Sequence, residues 1–138
     1  NAVANSVVPK FTIITGNSFG AGNYAMCGKA YDPRLIVSWP WAELAVMGGS
    51  QAAKVLVQIQ ESTLKKQGME ITTEEHNALV EKITQNYTKQ TKVEYSAARI
   101  WVDAIINPLD TRKWISAGIE SANHSPITDK FNLGVIQV

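Results

Sequence analysis

The sequence has very few of the residues that build metal sites and disulfides. It has one cysteine, Cys27, and two histidines, His76 and His124, among 138 residues. A single cysteine excludes an internal disulfide, favours a reducing compartment and cannot complete a cysteine-based zinc site. The histidines are far apart in polar stretches, and His76 is expected on the surface of a helix. We therefore expect no metal site in this domain.

Net charge and long apolar runs are also missing. Lys plus Arg number 13 and Asp plus Glu number 12, so the net charge is +1. This excludes the basic face that nucleic-acid binding needs. No apolar run approaches the roughly 18 residues of a membrane span, and no signal peptide opens the sequence. We therefore expect neither a nucleic acid nor a membrane as a partner.

Apolar residues make up 45% of the chain, close to the globular average of about 45–50%. The chain can therefore bury a core, and it is not a disordered one. Its length fits one domain, since domains contain roughly 100–200 residues. The first residue is not Met, and residues 1–6 resemble the end of a helix, so we expect a fragment of a longer polypeptide.

Short apolar, β-branched runs alternate with helical patterns. Residues 11–15 and 35–39 predict two buried strands. A glycine-rich turn and a helix over residues 23–31 are expected between them, the helix ending before Pro33. Residues 42–47 form another short apolar element. This alternation favours an α/β architecture.

Two longer helices follow, and they are more polar. Ser50 is expected to cap the first of them. Thr72 and Glu75 form a capping-box pattern at the start of the second. Residues 61–92 are the most polar part of the chain and predict a solvated helical hairpin, inserted in the domain. A last helix is expected to start at Asp110, whose charge suits a helix N-terminus.

The glycine-rich turn after the first strand is the strongest candidate site. Three interpretations are open: a tight turn that needs small residues, a dinucleotide site, or an oxyanion hole. GAGNYA at residues 20–25 satisfies G-x-G-x-x-A, but Pro33 cuts the helix short and Glu43 is the only acid near the expected spacing. For an oxyanion hole, the N–H groups of Ala21 and Gly22 would hold a negative oxygen.

Several longer motifs resemble the carboxyltransferase (β) subunits of biotin-dependent acyl-CoA carboxylases. They are VPKFTII at 8–14, GNSFGAGNYAMCG at 16–28, AVMGGSQAA at 45–53, YSAARIW at 95–101 and NPLDTR at 107–112. The second motif is most similar to the branch that acts on 3-methylcrotonyl-CoA and geranyl-CoA. One departure is Asp103-Ala104, where the family commonly has Asp-Gly.

The resemblance implies a crotonase-like (ClpP/crotonase) spiral fold, of which residues 1–138 are most of the C-terminal domain. It implies transfer of CO2 from carboxybiotin to an acyl-CoA enolate. The oxyanion hole for the biotin ureido oxygen maps to Ala21 and Gly22. Gly20 shapes the turn, and Phe19, Asn23 and Tyr24 are the other residues expected to bind biotin or substrate.

The resemblance also implies partners. Biotin is carried on a biotin carboxylase/biotin carrier subunit, the acyl-CoA meets the N-domain of the same subunit, and the full-length subunit forms a homo-oligomer. The location is cytoplasmic in a bacterium and the mitochondrial matrix in a eukaryote. Residues 1–138 alone are expected to be inactive, because the first domain holds a second oxyanion hole. A decarboxylase α subunit of a sodium pump is the nearest alternative, and a dinucleotide-binding domain is another.

Overall fold

Short strands alternate with helices along residues 1–68 and 72–126, the residues that this computed structural model describes. The first half contains α1 (Ala2–Asn5), β1 (Phe11–Ile14), β2 (Asn17–Phe19), α2 (Gly20–Ala25), a 3-10 turn (Lys29–Tyr31), β3 (Leu35–Ser38) and β4 (Glu43–Ala45). The second half contains α3 (Gly49–Lys66), α4 (Thr73–Thr91), α5 (Val93–Ala97), β5 (Ala104–Ile105), a 3-10 turn (Pro108–Asp110) and α6 (Thr111–Asn123). The α/β class and both predicted strands are confirmed.

The strands divide between two parallel sheets. One has the order β1-β3-β5 and the other pairs β2 with β4. Phe11 pairs with Leu35 in the first sheet, and Phe19 pairs with Ala45 in the second. Odd-numbered strands join one sheet and even-numbered strands the other, so the chain winds as a spiral that adds a strand to each sheet in turn.

The core lies between the strands and α5. Its buried members are Ile14, Ile36, Ala42, Leu44, Val93 and Val102. The two sheets therefore share one core, and the pattern of apolar runs in residues 11–45 accounts for most of it. Ala104, where the related family commonly has glycine, lies in the extended strand β5, so this position does not need a glycine.

Helices α3 and α4 pack against each other as a hairpin, but its first helix begins at Gly49 and not near residue 61, where the prediction placed the start. The capping box at the start of α4 is confirmed, since the Glu75 N–H donates to Thr72 Oγ1 and the Thr72 N–H donates to Glu75 Oε2 at 2.9 Å. The hydrogen bonds from the Thr72 backbone and hydroxyl hold the pKa of Glu75 below its ordinary value. The predicted cap at Ser50 is wrong, because Gly48 is the N-cap of α3 and Ser50 lies inside its first turn.

The helix predicted over residues 23–31 is also corrected. Helix α2 begins at Gly20 and ends at Ala25, and a separate 3-10 turn follows. Cys27 takes a left-handed conformation with φ 63°. Its N–H donates to the Tyr24 carbonyl, and the Gly28 N–H donates to the Asn23 carbonyl at 2.8 Å. This pattern is a Schellman motif, which ends a helix.

Helix α6 starts where Asp110-Thr111 predicts it. The Trp39 indole donates to Thr111 Oγ1 at 3.0 Å, which attaches the first turn of α6 to the end of β3. Gly118 lies against the Phe11 ring, and a Cβ at this position would come within 2.8 Å of that ring. The small residue in the middle of α6 therefore allows the helix to approach the sheet.

Candidate functional site

The candidate site begins where β2 passes directly into α2. Gly20 has φ +56°, and a Cβ there would lie 2.9 Å from the Val46 carbonyl oxygen. A glycine is therefore required, both for its positive φ and for its lack of a side chain. The first N–H groups of a helix have no partner within the helix, and Phe19, at the N-cap, has no polar side chain to offer them. Ala21 and Gly22 lie exposed in this first turn.

A cavity of about 520 Å³ lies beside this turn. Its volume falls within the range of small-molecule sites, about 300–1,000 Å³. Residues of α2, β3, β4, α4 and α5 and the segments next to them form its wall. They are Gly20, Asn23, Tyr24, Gly28, Lys29, Ala30, Ile36, Leu44, Ala45, Val46, Tyr87, Gln90, Thr91, Tyr95 and Trp101.

Aromatic rings make up much of this wall. Tyr24 meets Tyr31 edge to face with a centroid distance of 6.2 Å, and Tyr95 meets Trp101 in the same way at 6.1 Å. The guanidinium of Arg99 lies 3.3 Å from the centroid of the Tyr95 ring. The aromatic residues of the wall itself are Tyr24, Tyr87, Tyr95 and Trp101.

Lys29 and Asp103 form an ion pair at one side of the cavity, with Nζ and Oδ1 2.8 Å apart. Asp103 Oδ2 accepts a hydrogen bond from the Ile36 N–H at 2.9 Å. Partial burial raises the pKa of Asp103, but these hydrogen bonds and the charge of Lys29 outweigh it and hold the pKa below its ordinary value. Asp103 thus connects the 3-10 turn after α2 to β3 and to the chain that enters β5.

Of the candidate residues from the sequence, the structure places Gly20, Asn23 and Tyr24 in the cavity wall. Phe19 lies in β2, with its ring 3.9 Å from the position that a Cβ on Gly48 would take. Ala21 and Gly22 are on the exposed first turn of α2 rather than in the wall.

Sequence reasoning missed the part of the wall that comes from α4, α5 and the segment after α5. These residues are Tyr87, Gln90, Thr91, Tyr95 and Trp101. The residues of α4 lie in the most polar stretch of the chain, which resembles a solvated surface, and no local signal separates them from their neighbours.

The histidines do not take part in the cavity wall. His76 Nδ1 lies 2.5 Å from Glu61 Oε1, a contact that joins α4 to α3. Within residues 1–68 and 72–126, no group of three or more His, Cys, Asp or Glu side chains is placed to share a metal ion. In the same part of the chain, no helix is both long and apolar enough to span a membrane.

Solved structures of carboxyltransferases share this fold. The β subunit of geranyl-CoA carboxylase from P. aeruginosa is 36% identical, with a TM-score of 0.73 over 96% of this chain and 25% of that one. A crystal structure of transcarboxylase 12S is 26% identical, with a TM-score of 0.80 over 98% of this chain and 24% of that one. The predicted crotonase-like fold is confirmed.

The carboxyl transferase domain family matches residues 1–133, and the chain belongs to this family. Over 93% of this chain it is 48% identical to the mitochondrial methylcrotonoyl-CoA carboxylase beta chain of Arabidopsis thaliana. Over 99% it is 42% identical to the biotin-dependent 3-methylcrotonyl-coenzyme A carboxylase beta1 subunit of Mycobacterium tuberculosis. The chain spans 22% and 26% of these two relatives, about a quarter of their length.

The dinucleotide interpretation receives no support from the fold or the family. Helix α2 has six residues, and Glu43 is in β4 of the smaller sheet, paired with Asn17. Gly20 instead allows β2 to continue directly into α2.

Proposed function

We propose that the polypeptide carrying these residues, called here the parent subunit, is the carboxyltransferase component of a biotin-dependent acyl-CoA carboxylase. It transfers CO2 from carboxybiotin to the enolate of 3-methylcrotonyl-CoA or a similar acyl-CoA. The family membership and the relatives at 42–48% identity support this. A relative named methylmalonyl-CoA decarboxylase subunit alpha, from Veillonella parvula, is 30% identical over 80% of the chain, which makes decarboxylation the second candidate.

The observation that carries the proposal is the start of α2 beside a largely apolar, aromatic cavity. Backbone N–H groups that have no partner within the helix can stabilise a negative oxygen. Ala21 and Gly22 offer two such N–H groups on adjacent residues. Both residues are exposed, so these donors would have their full effect on an oxyanion once the bound ligand excludes water from them.

The residues of this chain fit a biotin ring. Bound carboxybiotin would supply the CO2 and, once decarboxylated, a basic ureido group for the acyl-CoA proton. Ala21 and Gly22 would donate to the ureido oxygen, and Gly20 would hold the turn that exposes them. Asn23 and Tyr24 would form one side of the pocket, with Phe19 supporting the turn from β2. Tyr24 is 52% exposed, so a ligand can reach it.

In this proposal, residues 1–138 neither carry the biotin nor hold the acyl-CoA by themselves. Biotin is carried on a biotin carboxylase/biotin carrier subunit, the acyl-CoA is held by the N-domain of the parent subunit, and the parent subunit is a homo-oligomer. The complex works in the mitochondrial matrix of a eukaryote or the cytoplasm of a bacterium. Residues 61–92 are proposed to be an insertion within the domain, and residues 1–138 alone are proposed to be inactive.

The test is Gly22→Pro in the parent subunit, assembled with its biotin-carrying partner. Proline removes the N–H at the third residue of α2, where no intrahelical bond is lost, and no atom lies within 4 Å of the Cβ position. We expect kcat to fall by about 100-fold or more, the usual effect of losing one oxyanion donor. The measurement is ATP-dependent incorporation of radiolabelled bicarbonate into 3-methylcrotonyl-CoA.

Gly16→Ala is the control, because Gly16 also has open space around its Cβ position and lies in the preceding turn. It should keep the kcat of the wild type. Normal turnover by Gly22→Pro would exclude the oxyanion hole. Release of CO2 from a carboxylated acyl-CoA without any bicarbonate fixation by the wild type would instead favour the decarboxylase.

A further inference from the structure

Residues 46–49, which are the loop after β4 and the first residue of α3, lie next to the start of α2; they are called the loop at residues 46–49. It follows β4, whose Ala45 pairs with Phe19 at the end of β2. The Val46 carbonyl oxygen is so near Gly20 that a Cβ there would lie 2.9 Å from it. The Phe19 ring lies beside Gly48 on the same loop. The loop therefore packs against both Phe19 and Gly20, the two residues that lead into the first turn of α2.

One side chain of the polar hairpin holds this loop. The Tyr87 hydroxyl, on α4, donates a hydrogen bond to the Met47 carbonyl oxygen at 3.0 Å. The Tyr87 ring also packs against Gly49, with Cδ1 3.7 Å from the Cβ position of that glycine. Tyr87 is half-buried, so water competes only partly for the hydrogen bond.

These contacts form a connected series from Tyr87 through residues 46–49 to Gly20. We propose that Tyr87 is a positioning residue, which keeps the N–H groups of Ala21 and Gly22 in place by fixing the loop at residues 46–49. This inference rests on the proposed function, because it assigns Tyr87 to the same oxyanion hole. Helix α4 of the hairpin then has two roles. It lines the cavity, and it holds the turn that carries the N–H groups of Ala21 and Gly22.

The test uses Tyr87→Phe in the assembled parent enzyme. Phenylalanine keeps the ring in the cavity wall and against Gly49, and removes only the hydrogen bond to Met47. We expect kcat to fall by about tenfold, since displacement of catalytic groups by about 1 Å can cost up to 100-fold. The KM for 3-methylcrotonyl-CoA should stay within about twofold, because the hydroxyl acts on transition-state donors and not on ground-state binding.

Thr84→Val is the matched control. Thr84 is on the same helix and its hydroxyl also donates to a carbonyl oxygen, that of Val80 at 2.7 Å. Valine has nearly the same shape, so this variant removes one hydroxyl contact of α4 without touching residues 46–49. Thr84→Val should keep the wild-type kcat. An equal loss of kcat in both variants would mean that α4 acts only through its general stability, and would overturn the inference.

A double variant separates positioning from other roles. If Tyr87 acts through the N–H groups of α2, Tyr87→Phe should cost little in a Gly22→Pro background, because coupled residues are non-additive. Additive losses, an unchanged kcat in Tyr87→Phe, or a raised KM alone would each overturn the inference. If Gly22→Pro itself is without effect, the proposed function fails, which is a different outcome from failure of Tyr87 alone.

Hydrogen exchange gives a readout that does not depend on activity. Tyr87→Phe should speed exchange in peptides covering residues 17–25 and 46–49, while peptides covering β1 and β3 keep their wild-type rates. Unchanged exchange at residues 17–25 would show that the hydroxyl does not hold the turn, and would contradict the inference even if turnover fell.

Discussion

Two regions of the chain line one cavity, namely the sheet region, residues 11–45, and the helical hairpin, residues 49–91. They differ in what holds them in place. The sheet region holds fully buried side chains such as Ile36 and Val37, each 1% exposed. In the hairpin, among residues 49–68 and 72–91, the buried residues are Ala52, Ala53, Val57 and Thr91. Burial of apolar side chains therefore stabilises the sheet region. The hairpin is held to it by specific contacts, such as the hydrogen bond from the Tyr87 hydroxyl to the Met47 carbonyl oxygen.

The largest difference between the two regions should appear on truncation of isoleucines. Ile36→Ala removes a side chain from the core and should destabilise the parent subunit by about 2–5 kcal/mol. Ile59→Ala, on the hairpin where Ile59 is 59% exposed, should cost about 0.5 kcal/mol or less. Urea unfolding, followed by hydrogen exchange in β3 and α3, measures both. Equal losses would mean that the hairpin is as deeply embedded as the sheets.

The next difference concerns two glycines with positive φ. Gly20 has φ +56° and a carbonyl oxygen 2.9 Å from its Cβ position, whereas Gly68, at the end of the first hairpin helix, has φ +75° and open space. Gly68→Ala should cost only the left-handed strain, about 1–2 kcal/mol. Gly20→Ala adds a backbone clash, so it should be more destabilising and should lower kcat sharply.

Thermal unfolding and bicarbonate fixation of the two alanine variants test this expectation. If both lower the melting temperature equally and neither changes kcat, the approach of Val46 to Gly20 is not important for the site.

The smallest effect should be a pH dependence from the ion pair that joins Lys29, in the sheet region, to Asp103. The pKa of Asp103 is lowered in the folded protein, so its contribution to stability is present above the unfolded pKa of about 4 and is lost as pH falls through the folded value. Asp103→Asn should therefore reduce the loss of stability on acidification below about pH 4. Denaturant unfolding at a series of pH values measures it.

Lys29→Met is the companion variant, since it removes the ion pair and leaves the Asp103 carboxylate in place. It should also weaken the acid dependence, because the pKa of Asp103 moves back towards its ordinary value. An acid dependence equal to that of the wild type in both variants would contradict the assignment to this pair.

Local patterns in the sequence predicted the elements whose causes are local. The apolar runs around Ile13 and Val37 predicted β1 and β3, and Thr72 with Glu75 predicted the start of α4. The end of α2 was not predictable in this way. It depends on Cys27, a non-glycine residue in a left-handed conformation, and on Gly28, where a Cβ would come within 2.5 Å of the Asn23 side chain.

Pairing of charges was also not predictable from proximity in the sequence. Arg99 is four residues before Asp103 in the sequence, yet it lies on the Tyr95 ring and donates to the Tyr95 carbonyl. Lys29, 74 residues before Asp103 in the chain, forms the ion pair instead. Parallel pairing of β3 with β5 brings these two segments together, which is a property of the topology.

The sequence by itself determined the α/β class, the two buried strands, the capped helix and the glycine turn with Gly20, Ala21 and Gly22, because each follows from residue types within a few positions. Only the tertiary structure decided which other side chains line the cavity beside that turn. Tyr87, Tyr95 and Trp101 reach the cavity because α4 and α5 pack against β4, where Lys92 forms an antiparallel bridge with Glu43. No local periodicity encodes that approach, since the cavity wall brings together residues more than 60 positions apart in the sequence, such as Gly20 and Tyr87.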